Sequence, residues 1–188
     1  SVTISWTTTG AKTVKVNYTN ASGCTATTPT TSNVTVNALP TPAIAGPNSV
    51  CVGSTDKVYT TVAGMSNYQW TVSAGGTITS GGTSTDHEVT VTWNTAGAQT
   101  VSLNYTNANG CTALSPTVRN ITVNPLPTPT IAGPATGCTG AAGVVYTTQA
   151  GMTGYSWTVS AGGTITAGGS GTDNTVTVVW NTSGAKTI

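Results

Sequence analysis

Val89-Thr90-Val91-Thr92-Trp93-Asn94-Thr95-Ala96-Gly97-Ala98-Gln99-Thr100-Val101-Ser102-Leu103-Asn104-Tyr105 reads as two strands joined by a turn. Val89, Val91 and Trp93 alternate with threonine before the Asn-Thr-Ala-Gly turn, and Val101, Leu103 and Tyr105 alternate with Ser102 and Asn104 after it. A period of two sends alternate side chains to one face of a sheet, so each strand buries one face and shows the other to water. Two further copies test that register. Val2, Ile4, Trp6 and Val176, Val178, Trp180 keep the inward positions large and apolar, whereas Thr92 becomes Ser5 or Val179 on the outward face. A slip of one residue would expose the whole buried set, so variation collects on the outer face.

These copies belong to a longer self-similarity. A shift of 87 residues carries Trp6 onto Trp93 and Trp180, Tyr18 onto Tyr105, Cys24 onto Cys111, and Cys51 onto Cys138. It also carries Leu39-Pro40-Thr41-Pro42 onto Leu126-Pro127-Thr128-Pro129, and Val72 to Thr79 onto Val159 to Thr166. Residues 1–38 are thus expected to be the C-terminal part of one repeat, 39–125 a complete repeat, and 126–188 the N-terminal part of the next. On this reading both ends fall inside a unit, and the chain is a window on a longer array or one link of a polymer. The period exceeds the ~20 to 50 residues of solenoid units and suits a small independent domain. A β-helix would show a period of ~20 residues, and none is present.

Composition narrows the class. Five Lys+Arg and four Asp+Glu give a net charge of +1 over 188 residues, which leaves little to attract nucleic acid or an anionic membrane. No run approaches the ~18 apolar residues of a membrane span, so neither nucleic-acid binding nor membrane insertion is expected. Abundant Thr, Gly, Ser, Asn and Val with no Phe mark an all-β chain.

Within the complete unit, the Pro-rich stretch Asn37 to Pro42 reads as an extended linker, since proline lacks a ladder donor. A short strand containing Cys51, a strand from Lys57 to Val62, and the alternation Tyr68, Trp70, Val72 follow. Gly75-Gly76 and Gly81-Gly82 bracket Thr77-Ile78-Thr79, and Asn107-Ala108-Asn109-Gly110 signals a hairpin before a last strand that ends with Ile121 and Val123. About seven strands at spacings of ~8 to 12 residues predict tandem immunoglobulin-like β-sandwich modules. Their cores are expected to hold Trp6, Tyr18, Tyr68, Trp70, Trp93, Leu103, Tyr105, Tyr155, Trp157 and Trp180.

Chemistry-bearing residues are sparse. Asp86-His87-Glu88 is the one titratable cluster, and its copy Asp173-Asn174-Thr175 loses the histidine and glutamate. A site built from local residues should survive in a near-identical copy, so the cluster reads as a solvated turn. No nucleophile elbow, phosphate loop or Cys-x-x-Cys pair occurs, so no catalytic residue, metal or cofactor is expected. Tyr59 or Tyr68 would have to be exposed to stack on sugars, and both sit on inward faces.

Two cysteines per unit at fixed positions point to disulfides and an oxidising compartment. Pairing within a unit joins Cys51 to Cys111 and sends Cys24 and Cys138 to partners outside the window. Pairing across the linker joins Cys24 to Cys51 and Cys111 to Cys138. The first is preferred, because the turn before the last strand lies where the chain enters the sandwich.

Val50-Cys51-Val52-Gly53, Tyr68-Gln69-Trp70, Val91-Thr92-Trp93, Gly97, Asn107-Ala108-Asn109-Gly110-Cys111 and Asn124-Pro125-Leu126-Pro127 together resemble the PKD-like and immunoglobulin-like repeats of very large secreted and surface proteins of Bacteroidota. The acidic Trp-Asp-x-Gly-Asp signature of PKD domains proper is absent, since Thr71 and Val72 follow Trp70. The resemblance implies export, often by the type IX route, and a place in adhesins, stalks or surface filaments of the extracellular face. It implies no catalysis. The partners expected are neighbouring repeats of the same array, other copies in a filament, and a glycan or other surface ligand. A glycan-binding accessory module of a secreted enzyme is the alternative.

Overall fold

The computed structural model describes all 188 residues as twelve strands without a helix. Residues form two compact units, Ser1–Leu126 and Pro127–Ile188. In the first, a hairpin of β1 (Gly10–Val16) and β2 (Thr30–Val36) precedes seven strands: β3 (Ser49–Cys51), β4 (Lys57–Thr60), β5 (Ser66–Val72), β6 (Gly76–Gly81), β7 (Glu88–Trp93), β8 (Gly97–Thr106) and β9 (Thr117–Asn124). The second unit holds β10 (Val144–Thr147), β11 (Gly163–Gly168) and β12 (Thr175–Trp180).

Strands β3 to β9 make an immunoglobulin-like sandwich, with one sheet ordered β3-β9-β8-β5 and the other β4-β7-β6. The alternation does what the sequence demands. In β7 the pattern runs buried at Val89, Val91 and Trp93, and in β8 Val101, Leu103 and Tyr105 close the other side of the same core. Tyr59, Tyr68, Trp70, Ile121 and Val123 complete it. Trp93 is fully enclosed, its Nε1–H donating to the Tyr59 hydroxyl at 3.0 Å with the two rings edge to face. Burial of a Trp N–H without a partner would be costly, and Tyr59 removes that cost. Gly81 and Gly82 hold φ of +65° and +76° where the chain leaves β6. A Cβ on Gly81 would meet the Glu88 carbonyl oxygen at 2.5 Å, so glycine is required there.

The chain enters and leaves this sandwich at opposite poles. The Thr117 hydroxyl donates to the Pro42 carbonyl at the start of β9, and Asn107 Nδ2 donates to the Ala38 carbonyl in the same region. The entering segment then runs alongside β9 until β3 pairs with it in parallel, Ser49 opposite Thr122 and Cys51 opposite Asn124. Between these points the Arg119 guanidinium donates to the carbonyls of Ile44, Gly46 and Pro47, where no ladder exists. The Pro-rich stretch, expected to be an extended linker, forms no strand and is bonded to the module through the Ala38 and Pro42 carbonyls.

Hairpin β1–β2 repeats β8–β9 residue for residue: Gly10 opposes Val36 as Gly97 opposes Val123, and Val16 opposes Thr30 as Leu103 opposes Thr117. Likewise β10-β12-β11 repeats β4-β7-β6, down to the irregularity in β11 between Ile165 and Ala167 that copies the one between Ile78 and Ser80. Two expected core residues are corrected here. Trp6 is 38 % exposed and Tyr18 is 74 % exposed. The strands that would cover Trp6, the counterparts of β4 and β6, have no copy among residues 1–38, and neither does the counterpart of β5 that would cover Tyr18. Tyr155 and Trp157 are only half-buried for the complementary reason, because residues 127–188 contain no full counterpart of β8. Trp180 is buried with Val176 and Val178, and Tyr68, Trp70, Trp93, Leu103 and Tyr105 are buried as predicted.

Candidate functional site

The titratable cluster resolves into turn architecture. Asp86 Oδ2 accepts the Thr83 backbone N–H at 2.9 Å and the Thr83 hydroxyl at 2.6 Å, which holds its carboxyl below the usual carboxylate range. Its own carbonyl accepts the Trp70 indole N–H at 2.9 Å. Asp173 does the same with Ser170 and Trp157, and its carboxyl is lowered for the same reason. The aspartate is kept between copies because it shapes a turn and positions an indole acceptor; the His87 and Glu88 side chains make none of its hydrogen bonds, His87 adding only a lesser lowering of the Asp86 carboxyl, and both are replaced. No group of three or more His, Cys, Asp or Glu gathers to hold a metal ion.

All four cysteines are free thiols. The preferred Cys51–Cys111 bridge is corrected by the topology. Cys51 registers with Asn124 at the far end of β9, whereas Cys111 lies in the hairpin that precedes Thr117, where a Thr106–Thr112 bridge closes the loop. Seven steps along β9 at ~3.3 Å each separate those ends by about 23 Å. A disulfide tolerates a Cα separation of at most ~7 Å. The turn does lie at the entry pole, as expected, but β3 is reached only after the chain has travelled the length of β9.

The aromatic residues considered for sugar stacking are inside. Tyr59 is fully buried, with its hydroxyl pushed above the ordinary tyrosine range by burial, against the lowering effect of the Trp93 bond. Tyr68 packs edge to face on Tyr105 at 5.8 Å, and its hydroxyl donates to the Val62 carbonyl at 2.9 Å.

Concave surface is found in the second unit. One cleft of about 850 Å³ is lined by Pro129, Ile131, Met152, Tyr155 and Trp157 among others. A second, of about 610 Å³, lies beside Tyr146, Trp180 and Lys186. In the complete sandwich the positions equivalent to the first cleft, Pro42, Tyr68 and Trp70, are occupied by Thr117, Tyr105 and Leu103 of β8 and β9. The cleft is thus the seat of two strands.

Sequence reading passed over Arg119, whose three carbonyl contacts fix the entering chain. Its copy is Ser32, so in a comparison of repeats it looks like ordinary drift on an outer face. Its signal was scarcity: it is one of only five cations. Asn107 was read only as a turn residue, yet its side chain accepts the backbone N–H groups of Asn109 and Cys111, each at 3.0 Å, while donating to Ala38. Asn20 makes the equivalent contacts to Ser22 and Cys24.

A seven-strand sandwich that admits its chain at one pole and releases it at the other, in at least partial tandem copies, defines a class of tandem β-sandwich repeat module. The PKD-like domain model matches residues 37–120 and 124–188, and the chain belongs to that family. No curated protein matches it. Among solved structures, domains 4 and 5 of the S-layer protein SbsC are similar at 20% identity and a TM-score of 0.34, over 50% of this chain and 59% of that one. A structure of domains 1–6 of the same surface layer protein gives 15% identity and a TM-score of 0.35, over 92% of this chain and 25% of that one. The chain spans less than two thirds of either.

Proposed function

We propose that this chain is part of a structural array on the cell surface, in which PKD-like sandwiches act as spacers of a stalk, filament or adhesin and carry out no catalysis. The observation that carries the reading is the placement of entry and exit at opposite poles of the complete module, Pro42 against Thr117 and Cys51 against Asn124. Such a module lengthens a chain by its own height. The nearly uncharged surface fits the same role, since it offers little for charge-dependent sticking. Module boundaries near residues 38 and 125 follow the Pro-rich segments, and the host would be a large surface protein of the Bacteroidota type that the sequence resembles. Tyr59 and Tyr68, the tyrosines weighed as sugar-stacking platforms, are buried and offer none.

The test is an in-frame deletion of one 87-residue unit from the host protein. A spacer predicts a projection shorter by about 35 Å, the roughly 23 Å span of β9 plus a few extended linker residues at ~3.3 Å each, with ligand capture at the tip unchanged and the array still reached by protease on intact cells. Loss of capture with unchanged surface display would make the module itself the adhesive element. Protection from protease on intact cells would remove the surface placement.

A further inference from the structure

We propose that the hairpin carrying Asn107 clasps the segment that leads into the sandwich, so that residues 38–42 move with the module and the bend between this repeat and the one before it falls at Asn37. This concerns how repeats are joined and does not depend on the spacer reading.

The segment is tied at both ends to one hairpin. Asn107 Nδ2, at the hairpin turn, donates to the Ala38 carbonyl at 3.1 Å, and the Thr117 hydroxyl, where β9 begins, donates to the Pro42 carbonyl at 2.6 Å. Between those ties the rings of Pro40 and Pro42 fix φ. Burial alternates along the same stretch: Pro40 and Pro42 are half-buried and Ile44 is buried, whereas Leu39, Thr41 and Ala43 are exposed. A period of two is that of an extended chain with one face laid on a surface, and here it persists without a ladder. Asn37 is exposed and is the one residue between the end of β2 at Val36 and the first tie at Ala38.

The clasp is preorganised. Asn107 Oδ1 accepts the backbone N–H groups of Asn109 and Cys111, each at 3.0 Å, which fixes the amide plane and leaves Nδ2 aimed at the entering chain. The hairpin is itself held: the Thr106 and Thr112 hydroxyls meet at 2.8 Å across their bridge, and buried Asn104 donates to the Ala113 carbonyl at 3.0 Å. Residue type adds a separate argument. Where a turn needs only an acceptor the chain uses aspartate, as at Asp86 and Asp173. A carboxylate would serve the Asn109 and Cys111 N–H groups equally well, so the amide at position 107 is explained by its donor. The same residue stands at Asn20 in the preceding copy. A Pro-rich segment free of the module would let successive repeats bend anywhere from Asn37 to Pro42, and the clasp confines that bend to its first residue. Being a single bond between neutral groups, it opens and recloses without disturbing the core.

The experiment is amide nitrogen relaxation by NMR on the full chain, wild type against Asn107→Asp. That variant keeps an oxygen for the Asn109 and Cys111 N–H groups and removes only the donor, so unchanged melting of the sandwich serves as the folding control. In the wild type, Ala38, Leu39 and Thr41 should have order parameters near the ~0.85 of rigid backbone, with Asn37 below both its neighbours. In the variant at neutral pH, Ala38 and Leu39 should fall below ~0.6. Acid should restore them in the variant alone, because the protonated carboxyl regains an O–H that can donate to the Ala38 carbonyl. Ala38 and Leu39 mobile in the wild type, a variant as ordered as the wild type, or a loss of order that acid does not reverse would each overturn the proposal. None of these results touches the spacer reading, which the in-frame deletion tests separately.

Discussion

Residues 57–93 and 144–180 have nearly the same sequence pattern and build the same three-stranded sheet, yet only the first belongs to a closed sandwich. What survives in the second copy is everything local. The Tyr155 hydroxyl bonds the Gln149 carbonyl as Tyr68 bonds Val62, the Trp157 indole finds Asp173 as Trp70 finds Asp86, and Gly140 caps the Trp180 carbonyl as Gly53 caps Trp93. What is lost is everything that needs β8 and β9. The counterpart of β5 is not a strand, and the Trp180–Tyr146 bond lengthens to 3.4 Å from 3.0 Å. One sheet of the sandwich is thus specified by its own hairpins, while the other exists only as a partnership between strands distant in sequence.

The largest expected difference between the two regions is in hydrogen exchange. In a polypeptide limited to residues 1–188, the Gln69 and Thr71 amides, which face β8, should be protected by the global stability of the module, and those of Ser156 and Thr158 should exchange roughly 10³-fold faster or more, since no ladder covers them. Equal protection measured by mass spectrometry in the two stretches would break the comparison. Next in size is the buried indole: Trp93→Ala should cost about 3–5 kcal/mol, and Trp180→Ala distinctly less, because fewer elements close over it. Denaturant titrations of the two variants provide the check, and equal losses would show that the second unit is as tightly packed as the first.

A smaller effect should follow Arg119→Met, which leaves the carbonyls of Ile44, Gly46 and Pro47 without their donor. About 1–3 kcal/mol should be lost from the first unit and nothing from the second, as a shift of one transition only in a two-phase melt. The smallest is the response to acid, and here the two regions should agree, because the Asp turns are local. Asp86 and Asp173 both have folded pKa values below their unfolded ones, so their stabilising contribution is present above the ordinary carboxylate range and is lost as pH falls through the lowered folded values. Carboxylate resonances followed by NMR should titrate low in both, and Thr83→Ala should return Asp86 alone towards the ordinary value.

The strands of the complete module were readable because each carries its own alternation: Val89, Val91, Trp93, Val101, Leu103 and Tyr105 declare their inward face within a few residues. Comparison of copies also exposed the Asp86 turn, since a functional His87 should have been retained. Three things were not readable. The burial of Trp6 and Tyr18 depends on strands that residues 1–38 do not supply, and pattern cannot report whether a partner is present. The separation of Cys51 from Cys111 depends on the parallel pairing of β3 with β9, a long-range choice that leaves no mark in local sequence. Arg119 escaped for a related reason, as its acceptors lie more than 70 residues away in the chain.

The parallel seam has a mechanical consequence. Tension on the ends of the module arrives at Pro42 and leaves at Asn124, along two neighbouring strands pulled in opposite directions. The β3–β9 ladder, the Thr117 bond and the Arg119 contacts all lie across that line of force, so they must slide and rupture together. Hairpin β1–β2 is loaded differently: Gly10 and Val36 sit side by side, and a pull on them would unzip one pair at a time. A string of such modules should stretch at its linkers first and resist as a solid rod afterwards.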